Sequence, residues 1–302
     1  MGRLWWKLGM WTRESRGRMA EIARKTRHYP TDLTDEGWQR IEPLLPKVPR
    51  RGRKPKADLR KVLNAILYMA RSGGGWRMLP IHFGPWQTVY WWFRRFVRLL
   101  LFRTIHDVAL MLDRGRAGRE ASPSGRILDR QSVKAPHGTI RGYDAGKKVL
   151  GRKRHIAVDT DGRLLMVNLT SADVSDSAGG RAILGAIRKR WPLQGCRAAL
   201  IPAGPDRRRC RRWLKHLFAD GAYDRGKLMR KAAFLDFVVE IVRRISQEPG
   251  FKILPRRWVV ERAFDWMVRW HRLVRDHEVR LDLSEAFIHA AMGSLLLRRI
   301  SH

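Results

Sequence analysis

The chain has 302 residues, with 63 Lys or Arg against 28 Asp or Glu, and a formal net charge of +35. Hydrophobic residues make up 44% of it, enough for a folded core, which excludes a disordered basic tail. The excess charge predicts a polyanionic partner. Nucleic acid is favoured over a membrane surface because basic residues are spread along the chain and no run approaches the roughly 18 apolar residues of a membrane span.

The N-terminal third predicts helices. Residues 1–29 are interpreted as a weakly ordered basic extension, in which Met19 is an alternative start. Residues 30–116 predict a small helical domain. The first helix follows the N-cap Thr34, and the second ends at Gly73. One or two more helices begin near Pro85. A basic linker over 47–56 separates the first two. The helix–turn–helix character of this domain favours DNA binding, and the aromatic residues around Trp91 are interpreted as mainly core.

The pattern changes after about residue 120. Short apolar runs, interpreted as strands, lead to Asp129 and Asp220. Two more strands flank a turn at 160–162, and a further strand is predicted over 235–244. Helices are predicted after residue 178, along 255–274 and, as an amphipathic segment, along 284–300. Strands alternating with helices predict an α/β protein with a mixed sheet flanked by helices.

Three acidic residues are the candidate catalytic groups. Asp129 and Asp220 each end a strand-like run, and Glu261 lies on a helix whose apolar residues can pack on the sheet. Phosphodiester chemistry commonly uses two Mg²⁺ ions held by carboxylates from separate elements. These three residues are therefore candidates for a two-metal site, and a cap, a turn or an ion pair is the alternative role for each acid taken singly. Other acids, Asp159, Asp173 and Asp176, are interpreted as turn or cap residues, and His137 and His155 as structural.

Several motifs together resemble the DDE transposases of the IS5 group of bacterial insertion sequences. The resemblance runs from about residue 28 to 300 and rests on the segments YPTDLTDEGWQRIEPLLP, DLRKVLNAILYMARSGGGWRMLP, PWQTVYWWFRRF, ILDRQSVK, GYDAGKKVLGRKRHIAVDTDG, FADGAYDRGKL and LPRRWVVERAF. It implies an RNase H-like catalytic domain over 122–302 with two Mg²⁺ or Mn²⁺ ions on Asp129, Asp220 and Glu261. In the family signature of Tyr, Arg, Glu and Lys, the arginine corresponds to Arg257. Leu254 and Val268 stand at the tyrosine and lysine positions, and Arg269 is a candidate substitute for the lysine.

The resemblance also implies partners. These are double-stranded DNA at terminal inverted repeats and at the target, a second copy of the chain, and no membrane, in a bacterial cytoplasm near the nucleoid. Seven basic residues are expected to contact phosphates. One is Arg257, and the other six follow Asp129 in the sequence: Lys134, Lys147, Lys148, Arg152, Lys153 and Arg154. For each of these six, a solvated charged surface is the alternative.

The insert near 192–213 and the function of the chain each have more than one interpretation. A basic insert near 192–213 holds both cysteines, Cys196 and Cys210, whose spacing is not that of metal ligands. They are interpreted as free thiols of a reducing compartment, and the insert is either a surface loop or a lesion that impairs activity. The alternative functions are a metal-dependent nuclease that does not join strands, and an inactive DNA-binding remnant or repressor of the element.

Overall fold

Helices fill the N-terminal part of the computed structural model, which describes residues 29–46, 57–120, 123, 125–190, 216–242 and 257–301, without the side chain of Arg257. The predicted extension before residue 29, the basic linker and the insert near 192–213 with its two cysteines lie outside this range. The helices are α1 (Asp35–Ile41), α2 (Leu59–Ser72), α3 (Trp86–Arg98) and α4 (Leu101–Arg116).

The ends of these helices follow from local chemistry. The Thr34 hydroxyl accepts a hydrogen bond from Gly37 N–H at 3.0 Å and caps α1, as predicted. Gly73 ends α2 in the left-handed conformation, with φ of 74°. The apolar run after Pro85 is two helices, because Leu100 adopts a left-handed φ of 53° between α3 and α4.

After the helices, the described residues form a mixed sheet of six strands. Its strands are β1 (Gly125–Lys134), β2 (Gly142–Asp144), β3 (Val149–Asp159), β4 (Leu164–Ser171), β5 (His216–Ala219) and β6 (Val238–Ile241). The order is β2–β3–β1–β5–β6, with β4 also paired to β3. β1 runs antiparallel to β3 and parallel to β5, and β6 is parallel to β5. The predicted mixed sheet is confirmed, although the short strand β2 was not predicted.

Helices cover both faces of the sheet. They are α5 (Asp176–Arg190), α6 (Gly226–Phe234), α7 (Arg257–Val268), α8 (His271–Val274) and α9 (Leu281–Ile300). Lys153 and His155 of β3 face α5, where Lys153 donates to the Val174 carbonyl at 2.8 Å. Arg152 and Arg154, on the other side of the same strand, contact the segment that includes α8. Within the described ranges, no helix is both long and apolar enough to cross a bilayer.

Two helix predictions were wrong in detail. The single helix expected along 255–274 is broken near Trp270 into α7 and α8. The last helix was expected to be amphipathic, but α9 is buried on nearly all sides. The reason is its position: α9 packs against α4, α2 and α3 of the N-terminal part and also against β4 and α7. A helix enclosed in this way needs no polar face.

Candidate catalytic site

The parallel pairing of β1 and β5 brings two acidic residues together, one in the middle of β1 and one directly after β5. Ile127 lies opposite Phe218 in this register, so Asp129 and Asp220, each two residues further on, lie side by side. Both contribute to a pocket that is otherwise apolar. Its lining residues are Ile127, Leu128, Asp129, Phe218, Ala219, Asp220, Val242 and Val260. An acidic pair therefore stands at the polar end of an apolar pocket.

Backbone hydrogen bonds orient both carboxylates. Asp220 is the N-cap of a short 3₁₀ helix, Gly221–Tyr223, and its Oδ1 accepts from Ala222 N–H at 3.0 Å. The Oδ1 atom of Asp129 accepts from Arg130 N–H at 2.7 Å. Both residues are intermediate in burial, so the pair is held in place while still reaching the surface.

The third predicted acid lies on α7. This helix packs on β1 and β3, and its buried residue Val260 lines the pocket. The next residue, Glu261, is exposed. Across the described part of the chain, no three His, Cys, Asp or Glu side chains are grouped closely enough to hold one cation. The structure thus brings Asp129 and Asp220 together and places Glu261 one residue from a pocket-lining position.

The pKa of Tyr223 is raised in the surroundings of this acidic pair. Burial raises the pKa of its phenol well above the ordinary value, and the charges of Asp129, Asp176 and Asp220 raise it further. The phenol therefore stays protonated and can serve as a hydrogen-bond donor beside the carboxylates. Its position directly after the Asp220 motif was the only sequence signal for it.

A second charged cluster lies on the opposite face of β1. Arg130 pairs with Asp176 at 2.6 Å and with Asp144 at 3.5 Å, and Lys153 pairs with Asp176 at 3.2 Å. Successive strand residues point to opposite faces, so Arg130 is turned away from the face that carries Asp129. Asp176 was interpreted as a turn or cap residue, and no local pattern predicted this cluster.

The basic residues predicted to contact phosphates divide into two groups. Lys134, Lys147 and Lys148 are exposed, and their contact with phosphates stays a prediction. The prediction was wrong for the second group, which the structure buries with fractional exposures of 0–6%: Arg152, Lys153 and Arg154. Neither DNA contact nor the alternative of a solvated surface fits these three side chains. Arg257 begins α7, but its side chain lies outside the described residues.

Internal partners explain the burial of the two arginines. Arg152 Nη1 donates to Asp276 Oδ2 and to the Glu278 carbonyl, both at 2.9 Å. Arg154 Nη1 donates to the Leu273 carbonyl at 2.7 Å. Burial lowers the pKa of Arg154 to about 10, partly offset by Asp276, so its guanidinium group is charged at neutral pH. These charges attach β3 to the chain around α8.

The two histidines considered in the sequence occupy contrasting positions. His155 is buried, and its Nε2 lies 3.0 Å from Thr170 Oγ1. Burial lowers its pKa to about 4, so the ring is neutral. His137 is exposed beside His277. The geometry of His155 is that of a packed structural residue.

Family models match most of the chain. A model described as "Putative transposase of IS4/5 family" matches residues 33–106, and one described as "Transposase DDE domain" matches residues 120–297. The second match alone covers more than half of the chain and includes all three candidate carboxylates.

Curated bacterial relatives agree with the family matches. The "Uncharacterized protein y4sN" of Sinorhizobium fredii is 33% identical over 103 residues, which is 34% of this chain and 76% of that protein. The "Putative transposase for insertion sequence element IS402" of Burkholderia cepacia is 30% identical over 143 residues, 46% of this chain and 59% of that protein. A 16.2 kDa protein of the same element is 34% identical over 134 residues, 42% of this chain and 84% of that protein.

These matches favour neither the nuclease nor the repressor alternative. The mixed sheet with helices on both faces is the RNase H-like fold expected for a DDE domain, and such domains act on DNA with the help of divalent metal ions. The chain therefore belongs to the IS4/IS5 family of DDE transposases.

Proposed function

We propose that Asp129, Asp220 and Glu261 are the catalytic carboxylates of this transposase. The main support is the register of β1 and β5, which places Asp129 beside Asp220 at the end of an apolar pocket. Val260 forms part of the same pocket and directly precedes Glu261. A glutamate side chain is long enough to approach the pocket from this helix. Three elements distant in sequence thus converge on one location.

The donor chemistry of this site fits Mg²⁺ or Mn²⁺. Asp129 and Asp220 supply hard carboxylate oxygens, each already oriented by one backbone N–H. We propose that these two residues and Glu261 hold two such ions. When bound, the ions activate the attacking oxygen and stabilise the oxygen that leaves. Tyr223, kept protonated by burial and then by the neighbouring carboxylates, can donate a hydrogen bond near them.

The proposed reaction has two steps. At the end of the element, a water oxygen attacks the scissile phosphorus, the bond to the 3′ oxygen breaks, and a 3′ hydroxyl is freed. That hydroxyl then attacks a phosphorus in the target strand and replaces one of its ester oxygens. Asp129, in the middle of β1, and Asp220, directly after β5, fix the site on two paired strands, which limits the loss of orientation during attack.

Binding of the DNA is assigned to two surfaces. Exposed Lys134, Lys147 and Lys148 lie on the strand β1 and the β2–β3 hairpin, where they can neutralise phosphates, and Arg257 begins the helix of Glu261. The helical part before residue 116 is proposed to recognise the terminal inverted repeats. Because two ends must be held together, we propose that a homodimer acts on DNA, in a bacterial cytoplasm and in association with the nucleoid.

The test is cleavage and joining of the element's own ends by the purified protein, with Mg²⁺ or Mn²⁺ and with chelator. The glutamate is the critical residue, since it is exposed and its removal spares the core. We expect Glu261→Gln to reduce both steps at least about 100-fold. Asp265→Asn is the matched control, because Asp265 is also exposed and lies one turn further along α7. Equal activity of Glu261→Gln and wild type would contradict the assignment.

A further inference from the structure

An exposed apolar pair occupies the β2–β3 hairpin. Tyr143 and Leu150 are directly opposite each other in the register of the two strands, and they are 55% and 52% exposed. Ile140 and Val279 lie close by, since their carbonyls accept from the same guanidinium, that of Arg152, and both are about half exposed. Large apolar side chains grouped on a charged surface are typical of an interaction site.

The pair lies on the face of the sheet that carries the first candidate carboxylate. Leu150 lies six positions before Ile156 along β3, and Ile156 is opposite Asp129. Alternation along a strand therefore puts Tyr143, Leu150 and Asp129 on the same face. Six residues of β3 span about 20 Å, equivalent to about six base pairs of duplex. One bound duplex is long enough to reach both places.

Cations surround the apolar pair. Arg141, Lys147 and Lys148 are exposed on the same hairpin, whereas its carboxylate, Asp144, is buried. The exposed carboxylate of Asp173 lies on the opposite face, beside Gly142. An apolar surface flanked by exposed cations can bind a polyanion that also carries flat apolar groups. DNA bases with their phosphates have that chemistry, and a second copy of a chain of charge +35 would bring like charge instead.

Asp144 fixes the hairpin relative to the catalytic pair. Its Oδ1 accepts from Gly146 and Lys147 N–H, and its Oδ2 accepts from Ser132 Oγ at 2.6 Å. Arg130, which adjoins Asp129 in β1, lies 3.5 Å from the same carboxylate. Burial favours the neutral acid, but these hydrogen bonds and cations hold the pKa of Asp144 below its usual value. The hairpin is thus anchored to β1 and positioned in advance of DNA binding.

We propose that Tyr143 and Leu150 form a wedge that contacts the bases of DNA extending from the catalytic pair. Lys147 and Lys148 hold the flanking phosphates. This inference rests on the proposed function, because it assumes that the scissile phosphate lies at Asp129. Proteins that insert apolar side chains between base steps combine a wedge with basic flanks in this way.

The test is binding of the full chain to a duplex of about 40 base pairs copied from an end of the element, in the presence of chelator. Tyr143→Ala with Leu150→Ser is expected to weaken binding about tenfold, the contribution of roughly one stacked base. Tyr143→Phe keeps the ring and is expected to bind like wild type. Lys147→Ala with Lys148→Ala is expected to reduce the slope of log K against log salt by about two.

Phe234→Ala is the matched control. Phe234 is an exposed ring on α6 with Lys231 5.2 Å from its centroid, outside the proposed wedge. Equal binding by wild type and the Tyr143→Ala, Leu150→Ser variant would overturn the wedge alone, provided that Glu261→Gln still loses cleavage. So would a change in sedimentation with unchanged DNA binding, which would assign the surface to a second copy. Wild type that neither binds nor cleaves the duplex would overturn the proposed function as well.

Discussion

At the scale of single residues, Asp220 combines a structural and a proposed catalytic role. Its carboxylate caps the 3₁₀ helix Gly221–Tyr223 through Ala222 N–H and also lines the pocket with Asp129. Because Asn keeps an oxygen that can accept the capping hydrogen bond, the two roles can be separated by substitution. We expect Asp220→Asn to abolish cleavage while its free energy of unfolding stays within about 0.5 kcal/mol of wild type.

The comparison with alanine completes this prediction. Asp220→Ala should also abolish cleavage, but it should lose about 1 kcal/mol of stability with the cap. Urea denaturation and a cleavage assay on the same preparations measure both effects. An Asp220→Asn protein that still cuts DNA at the wild-type rate would show that the charge is dispensable.

His155 predicts a pH dependence of stability. Its pKa is about 4 in the folded protein and near the ordinary 6.5 when unfolded, because the buried ring resists protonation. Between these values the unfolded chain binds more protons, so stability falls as the pH falls through this window. The loss from this residue is about 2 kcal/mol at pH 5 and is absent above pH 7.

Urea denaturation at pH 7.5 and pH 5 tests this dependence. His155→Gln should reduce the difference between the two values without removing it, since burial also lowers the pKa of His106 and His289. An unchanged difference in His155→Gln would contradict the role given to this ring.

At the scale of elements, the contact between α5 and the sheet depends on a glycine. A Cβ at Gly179 would fall 2.0 Å from Cε1 of His155, so the helix approaches β3 only without a side chain there. Gly185 is on the same helix, and a Cβ there would meet nothing within 4 Å. We expect Gly179→Ala to destabilise the protein by about 1–3 kcal/mol, and Gly185→Ala to stabilise it by up to about 1 kcal/mol. Thermal denaturation of the pair distinguishes packing from helix propensity, and two shifts of the same sign would contradict this account.

Most helices and strands could be predicted from local sequence patterns, because their ends are determined by residues close by in the sequence. The caps and breaks at Thr34, Gly73 and Pro85 depend on neighbouring residues, and they located the first helices. β2 has only three residues, too few for a periodic signal. The enclosure of α9 depends on helices more than 160 residues earlier, which periodicity cannot report. The expected boundary between a helical and a catalytic domain remains a prediction, although one apolar core runs through both regions.

The candidate site shows the same division. Asp129 and Asp220 could be predicted because each follows an apolar strand run, and parallel pairing then brought them together. Arg152 and Arg154 were misread because a charged strand normally indicates an exposed one. Their burial requires Asp276 and the carbonyls of residues 273 and 278, more than 115 positions away. No local pattern reports a partner at such a distance.

At the scale of the whole molecule, buried ion pairs join the helical part to the sheet. Asp113 near the end of α4 is fully buried and pairs with Arg163 at 2.6 Å and Arg116 at 3.2 Å. Arg299 of α9 lies 3.7 Å from the same carboxylate. Asp159, at the end of β3, pairs with both Arg163 and Arg114. Three distant parts of the chain therefore share one group of charges.

Removing a carboxylate from this group should be destabilising. Asp113→Asn would remove a buried charge shared by several arginines, of which Arg163 keeps Asp159 and Asp161, at a cost of about 1.5–3 kcal/mol in the free energy of unfolding. The control is Asp35→Asn, because the Asp35–Arg60 pair at 2.6 Å is largely exposed and should contribute less than about 1 kcal/mol. Urea denaturation at pH 7 measures both variants, and similar losses would show that burial does not set the strength of these pairs.

The position of α9 has a consequence for how the protein is made. Its residues fill the space between α4, α2 and the sheet, Ser301 Oγ lies 3.0 Å from Thr34 Oγ1, and Arg298 donates to the Pro30 carbonyl. During translation, the apolar surfaces of the early helices stay uncovered until residues 281–301 have left the ribosome. A nascent chain stalled before that point would carry an open core, so native folding follows synthesis of this helix.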